Sequence, residues 1–512
     1  MTFSPAQRDL LAALAAHLRV HQAPGWLVGG SVRDLVLGRY SADLDVAIAG
    51  DAVELARSFA DATGGSWVLL DNETGSARIV WPESNARGWP RVLDLVRLRA
   101  ATIESDLQLR DFTINAMALA LDDIAHVRLD RLIDPLGGAA DLRQGLLRAT
   151  GSRAIVDDPL RMLRAARLAG TLGLRIADEL AAEIALRHEL IARVSVERAR
   201  DELLKLLAFP AAGRWVRWLD ETSLLTTLIP ELEPARGCEQ PLVHFLPVLG
   251  HLLEAVVAAD WLLQRIDAAG VPEPSPTTAA RPLALDSFPK LDAPLPHAGR
   301  LRVRFGELVD GVPRVALFKL AVLLHDVAKP QTKALKPDGG VSFYDHQALG
   351  AEVTWQIARR LRISRAGCEY VRLVVREHMR PGQLNELGSD LTPRAVYRFY
   401  RATGDAGPDV LLHSLCDHLA MKGPLLAPAG WERHTGWTAR MLEMFYDETE
   451  QLRPESLIRG GDLLQELGLK PGPLIGQVLE EIREAQASGE VRTREEALDR
   501  ARCFLERSPS GG

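Results

Sequence analysis

Between Met1 and Ala140 the spacing of apolar positions switches repeatedly between strand-like and helix-like, whereas the rest of the chain keeps the helical period almost throughout. Leu10–Ala16 is an apolar run flanked by Arg8, Asp9, His17 and Arg19, which predicts an amphipathic first helix. Trp26–Val28 reads as a strand leading into Gly29-Gly30, and Ser31–Leu37 as a short helix. Leu44–Ile48 alternates like a strand and Ala52–Ala62 follows a helix. Ser66–Leu70, Ala77–Trp81 and Val92–Leu98 are further strands, separated by turn-forming segments. Prolines cluster within Val271–Gly299, the mark of an insertion or linker, before helical signals resume at Pro313. The expected organisation is an α/β head over residues 1–140 and a helical neck over 141–235. A helical domain follows over 236–420, carrying a Pro-rich insertion at about 268–312, and then a helical tail over 421–512 whose end, Ser508–Gly512, is expected to be disordered.

Composition narrows the class. The chain has 512 residues, 47% hydrophobic and 25% charged, enough for several globular domains that need no disulfides. Cys238, Cys368, Cys416 and Cys503 are scattered without a CxxC pair, which argues against zinc fingers, dithiol redox motifs and disulfide frameworks. No apolar run reaches the ~18 residues of a membrane span, so no membrane partner and a cytoplasmic location are expected. A net charge of −7 argues against indiscriminate coating of nucleic acid. Yet Arg143–Arg175 contains seven arginines against Asp157 and Asp158 alone, which is either a solvated helix face or a dedicated anion-binding surface.

The densest chemistry lies in the head. Gly29-Gly30-Ser31-Val32-Arg33-Asp34 precedes Asp43-Leu44-Asp45. Residues two apart on a strand share a face, so Asp43 and Asp45 aim both carboxylates at one spot. Their mutual repulsion is relieved by a cation, and hard oxygen donors beside a phosphate site favour Mg²⁺. The glycine turn lets backbone N–H groups approach phosphate oxygens, and Arg33 adds a fork of donors. Asp94 interrupts the apolar strand Val92–Val96. It is either a third metal carboxylate or an exposed strand residue.

These segments resemble the bacterial-type class II tRNA nucleotidyltransferases, the CCA-adding enzymes of the polymerase-β superfamily. The likeness rests on Leu27–Asp34, Asp43–Asp45, Arg110-Asp111-Phe112-Thr113-Ile114-Asn115-Ala116, Ile133-Asp134-Pro135 and Asp158-Pro159-Leu160-Arg161-Met162-Leu163-Arg164-Ala165. It implies a polymerase-β-type head and catalytic Mg²⁺ on Asp43 and Asp45, with Asp94 as the third candidate. It also implies that Gly30, Arg33 and Arg110 hold the nucleotide triphosphate. Leu109 stands where the family often has a second arginine, so that contact is either missing or supplied from elsewhere. The resemblance further implies that Asp158 and Arg161 act as an amino-acid template, with Arg164 and Arg167 binding nucleotide. The four recur every third residue, on one broad helix face. Cytosine and adenine both show an amino donor beside a ring-nitrogen acceptor, which a carboxylate and a guanidinium match. Guanine and uracil would leave those groups unpaired, a mismatch of about 1–3 kcal/mol per group.

A second chemistry lies downstream. Val315–Leu324 is an apolar helix ending in His325-Asp326, with His251 upstream and His346, His378 and Asp417 beyond. The ordered set resembles an HD-type metal phosphohydrolase domain. That resemblance implies ligands His251, His325, Asp326 and Asp417, with His346 and His378 as extra ligands or phosphate contacts. His244 competes with His251, because both fall on one helical stretch. Mixed imidazole and carboxylate donors favour a transition metal such as Ni²⁺, Mn²⁺ or Co²⁺. Gly461–Gly489, with Gly468–Pro473 between two helical runs, is either a tRNA-elbow contact or a plain connector.

The expected activity is template-independent addition of C, C and A from CTP and ATP to the 3′ end of tRNA. The tRNA is gripped along its acceptor–TΨC arm through backbone and 2′-hydroxyl contacts. The rivals are a poly(A) polymerase, an enzyme adding only CC or only A, and an HD phosphohydrolase with a nucleotide-sensing head. The choice between full and partial addition would turn on a head loop near residues 82–90.

Overall fold

The computed structural model describes residues 3–41, 43–72, 74–82, 88–126, 129–241, 243–267, 282–287, 291–293, 295–388, 391–447 and 456–507. Most of the head loop near 82–90, most of the Pro-rich stretch and the tail 508–512 therefore lie outside the described residues. The chain divides into two compact units, residues 1–195 with 221–224, and residues 196–220 with 225–512.

The first unit is built on a mixed six-stranded sheet: β1 (Gly25–Val28), β2 (Asp45–Ile48), β3 (Ser66–Asp71), β4 (Ser76–Val80), β5 (Val92–Arg97) and β6 (Ala118–Ala120). The order is β3-β4-β5-β2-β1-β6, with β2 and β5 parallel and the other neighbours antiparallel. The apolar strand residues become the core. Leu27, Val46, Ala47, Leu93 and Leu95 are completely buried. Helix Ala52–Thr63 covers the sheet with Leu55, Ala56, Phe59 and Ala60. It starts where the Asp51 carboxylate accepts from Val53 and Glu54 N–H, and stops at Gly64 in the left-handed region. Helix α1 (Gly30–Val36) follows β1 directly, and α2 (Arg161–Leu172) comes later in the same unit.

The second unit is helical. Its centre comprises α3 (Val248–Asp267), α4 (Arg314–Leu324), α5 (His346–Arg360), α6 (Arg365–Glu377) and α7 (Gly407–Lys422). Helix α3 packs on α4 and α7, and α6 packs on α4 and α5. Every residue of α4 from Ala316 to Leu324 is buried. That includes Lys319, whose ammonium is satisfied by Asp260 Oδ1 at 2.6 Å and the Phe209 carbonyl at 2.7 Å. Helices Ala284–Ser287 and Ala298–Gly306 occupy parts of the stretch expected as insertion. Near the C-terminus, helices Gly460–Glu466, Pro473–Ala487 and Arg494–Arg507 close around Leu463, Val478, Ile482 and Ala497.

Candidate active site and metal centre

In the head, Asp45 opens β2 and Asp94 occupies the paired position on the parallel neighbour β5. Asp43 does not share the strand, as the sequence suggested. It precedes the strand in an exposed position, Leu44 between the two acids is 1% exposed, and the Asp43 charge still acts on the half-buried Asp45. The segment is pinned by Ser31, whose hydroxyl donates to the Asp43 carbonyl at 2.8 Å and accepts from Asp45 N–H at 3.2 Å. Burial, then the nearby Asp94, raises the Asp45 carboxyl to about 6, with Arg110 opposing and Asp43 adding to the shift. Asp94 is held by a two-pronged pair with Arg78 at 2.8 and 2.7 Å. Three crowded carboxylates, one of them resisting ionisation, are a donor set suited to a hard divalent cation.

The glycine turn abuts this triad. Gly29 has φ +70°, and a β-carbon there would stand 3.4 Å from Arg110 Nη1 and 3.7 Å from Asp45 Oδ2. Arg33 reaches Asp34 Oδ1 at 2.8–2.9 Å and Asn115 Oδ1 at 2.9 Å, which ties the turn to the segment Thr113–Asn115. Arg110 is anchored by Asp106 at 3.1–3.2 Å, and the same carboxylate holds Arg99 at 3.1 Å. Burial works to raise Asp106, but Arg110 and Arg99 outweigh it and hold the carboxyl below its usual range. Arg99 was missed in the sequence. It supplies a second guanidinium beside Arg110 through the Asp106 carboxylate that both bind, and only that carboxylate, seven residues on, could have hinted at it.

The proposed base-reading residues are distributed differently from a single helix face. Asp158 lies before α2, in extended conformation at the end of the short helix Ala154–Asp157, and caps Leu160 N–H at 3.2 Å. The proline that follows bars it from helical geometry. Arg161 begins α2, and its buried guanidinium donates to the carbonyls of Ala154 at 3.2 Å and Leu109 at 2.8 Å. Arg164 clasps the buried Asp111 carboxylate at 2.6 and 3.1 Å, so α2 is locked to the Arg110–Ala116 segment. Arg167 lies one turn further along α2.

In the second unit the HD residues converge. His251 Nε2 lies 3.1 Å from His325 Nε2, 3.5 Å from Asp326 Oδ2 and 3.1 Å from Asp417 Oδ1. His325 Nε2 is 3.3 Å from Asp326 Oδ2 and 3.7 Å from Asp417 Oδ1. Donors ~2.1 Å from one ion lie ~3.0–3.4 Å apart at octahedral or tetrahedral angles, a spacing that His251–His325, His251–Asp417 and His325–Asp326 match and that suits a transition metal. His244 is not on the helix with His251; it precedes α3, its ring centroid 5.5 Å from that of His251. The Nδ1–H of His325 donates to the Val322 carbonyl at 2.9 Å, which leaves Nε2 as the inward-facing nitrogen. Burial opposes charging of His325, yet Asp326 and Asp417 carry its pKa up to about 10. Lys329, unremarked in the sequence, places its ammonium 2.5 Å from Asp326 Oδ2 and 2.7 Å from Gln240 Oε1.

A nucleotide-transferring head joined to an HD unit defines the class. Residues 25–148 match the poly A polymerase head domain, 173–236 an RNA and SrmB-binding site of polymerase A, 297–421 an HD domain and 447–501 tRNA nucleotidyltransferase domain 2. The A-adding tRNA nucleotidyltransferase of Deinococcus radiodurans is 34% identical over 94% of this chain and 94% of its own. The CC-adding tRNA nucleotidyltransferase of Thermus thermophilus is 32% identical over 93% of this chain and 92% of its own. A solved structure of the Thermotoga maritima CCA-adding enzyme complexed with tRNA shares the fold with a TM-score of 0.58, at 21% identity over 97% of this chain and 95% of that one. The chain belongs to the tRNA nucleotidyltransferase family and is an enzyme. Among the described residues, no helix is long and apolar enough to cross a membrane.

Proposed function

We propose that this enzyme builds the CCA end of tRNA, transferring nucleotidyl groups from CTP and ATP onto the 3′-hydroxyl. The observation that carries this reading is the pairing of Asp45 with Asp94 on β2 and β5, with Asp43 alongside and the Gly29–Gly30 turn and Arg110 against them. Asp43, Asp45 and Asp94 would hold Mg²⁺, which when bound neutralises charge on the attacking and leaving oxygens. The 3′-oxygen attacks the α-phosphorus, the bond to the β-phosphate bridge breaks, and pyrophosphate leaves. The chain's own share is positioning. Backbone N–H groups of the turn, Arg33, Arg110 and Arg99 receive the triphosphate, while Asp158 and Arg161 read the amino and ring-nitrogen edge of C or A. For that reading Arg161 exchanges one of its carbonyl partners for the base, and Arg164 and Arg167 hold α2 and the nucleotide in register. tRNA is bound along its acceptor–TΨC arm.

One observation favours a second reading, addition of only part of the CCA end. Of four relatives aligned over more than nine-tenths of both chains, one is an A-adding and three are CC-adding enzymes. The deciding experiment offers tRNA ending at the discriminator base, and tRNA ending in CC, with each nucleoside triphosphate separately, and sequences the 3′ ends. Full activity extends both tRNAs. An enzyme that extends only one adds only CC or only A, and long adenylate tracts would mark a poly(A) polymerase.

The HD unit is proposed to be a transition-metal phosphohydrolase acting on phosphate monoesters or 2′,3′-cyclic phosphates, carried by the convergence of His251, His325, Asp326 and Asp417.

A further inference from the structure

Four side chains form one row across the head sheet. Val68 on β3 is paired with Arg78 on β4, Arg78 with Asp94 on β5, and Asp94 with Asp45 on β2. Cross-strand partners share a face, so Arg78 lies on the carboxylate face of the sheet, with Val68 outside it. Past Asp45 the row meets the glycine turn, where a β-carbon on Gly29 would stand 3.7 Å from Asp45 Oδ2. Arg110 and Arg33 lie against that turn, 3.4 Å from the β-carbon positions of Gly29 and Gly30. The groups that would receive the triphosphate therefore stand at one end of the row and Arg78 at the other.

Arg78 is committed to the carboxylate that the head would share with an ion. Its Nε donates to Asp94 Oδ1 at 2.8 Å and its Nη2 to Asp94 Oδ2 at 2.7 Å, one donor on each oxygen. The charges of Asp43 and Asp45 act on it as well. To leave Asp94 available to a divalent cation among the three acids, Arg78 has to yield at least one of those oxygens, and like charge then drives it outward. It is placed to move. Its side chain is 44% exposed, and the neighbouring Val68 is 53% exposed, so it can turn towards an anion in solvent without opening the core. The reaction sets which anion arrives. In nucleotidyl transfer the attacking and leaving oxygens lie roughly in line across the α-phosphorus. With pyrophosphate leaving at the glycine-turn end, the attacking 3′-hydroxyl enters from the Arg78 end. The phosphodiester of the last RNA nucleotide enters with it, and it accepts the same two-pronged fork of donors as a carboxylate.

We propose that Arg78 is an exchange residue, holding Asp94 while the head lacks its ion and passing to the 3′-terminal phosphodiester of the RNA when Asp94 turns to Mg²⁺. This rests on the reading of the head as the nucleotide-transfer site. Ion and RNA then favour each other's binding, because each draws Arg78 in the direction the other needs, and the coupling is reciprocal. Full-length wild type and R78Q, without nucleoside triphosphate, are titrated with Mg²⁺ by calorimetry. Both are then titrated with tRNA ending at the discriminator base, by fluorescence anisotropy, in Mg²⁺ and in monovalent salt of matched ionic strength. RNA-free R78Q is expected to bind Mg²⁺ several-fold more tightly than wild type. Mg²⁺ is expected to tighten tRNA binding several-fold more in wild type than in R78Q. Effects of Mg²⁺ on the tRNA itself are common to both proteins and cancel. Equal or weaker Mg²⁺ binding by R78Q overturns the hold on Asp94. An equal gain in tRNA affinity in the two proteins overturns the transfer to RNA. A wild type that binds no tRNA, or binds it and adds no nucleotide, overturns the reading of the head and the exchange with it. Where circular dichroism shows R78Q unfolded, R78M is read in its place against the same outcomes.

Discussion

Asp45 carries the conflict on which the head site depends. Its carboxyl is raised to about 6 because burial and Asp94 penalise the charge that metal binding would use. A folded value above the unfolded one means that the folded chain holds the proton more tightly. The associated stability is therefore full below about pH 4 and is lost as pH rises through about 6. The difference from 3.8 to about 6 corresponds to about 3 kcal/mol at neutral pH. D45N should accordingly abolish nucleotide transfer yet raise the metal-free melting midpoint at pH 7.5, with the gain vanishing towards pH 4. A lower midpoint for D45N at pH 7.5 would show that the crowding is relieved in some other way. Lys329 poses the same conflict in the HD unit, where its ammonium stands 2.5 Å from the Asp326 oxygen that the proposed ion would use. Lys329→Met should tighten Mn²⁺ binding there several-fold by calorimetry. Unchanged or weaker binding would mean that the lysine does not compete.

Elements set these side chains by close approach. Asp134 caps the helix Gly138–Gln144, accepting from Gly138 N–H at 2.7 Å and Ala139 N–H at 3.0 Å. That seats Gly138 against the Thr113 carbonyl, which a β-carbon would meet at 2.1 Å. Gly138→Ala should therefore displace the turn Thr113–Asn115, and with it the Asn115 acceptor of Arg33, raising KM for CTP and ATP more than it lowers the melting midpoint. A variant that loses stability with an unchanged KM would confine Gly138 to packing. The glycine turn and the head strands were legible because strand alternation and turn chemistry are local, whereas the shared strand expected for Asp43 and Asp45 was not found, since β2 begins only at Asp45. Arg99 and Lys329 were not legible, since their meaning lies in Asp106 and Asp326, drawn to them by tertiary packing. The helix-face reading of Asp158 failed at Pro159. Spacing alone extended the α2 pattern backwards, whereas the proline ring holds Asp158 in extended conformation.

At the scale of the whole molecule, the two proposed sites fall in different compact units. The head triad draws on β2, β5 and the segment before β2, and the HD cluster on α3, α5, α7 and the residues that follow α4 and α6. The donor chemistries of the two proposed sets differ, carboxylate oxygen against imidazole with carboxylate. They should therefore respond to different metals. Asp326→Ala is expected to eliminate Ni²⁺- or Mn²⁺-dependent hydrolysis of a 2′,3′-cyclic nucleotide while leaving nucleotide addition within a few-fold of wild type. One preparation is assayed twice, with CTP and ATP in Mg²⁺ and with the cyclic nucleotide in Ni²⁺. If wild type hydrolyses nothing with any divalent metal, the phosphohydrolase proposal fails. If a folded Asp326→Ala protein stops adding nucleotides, the independence of the two sites fails.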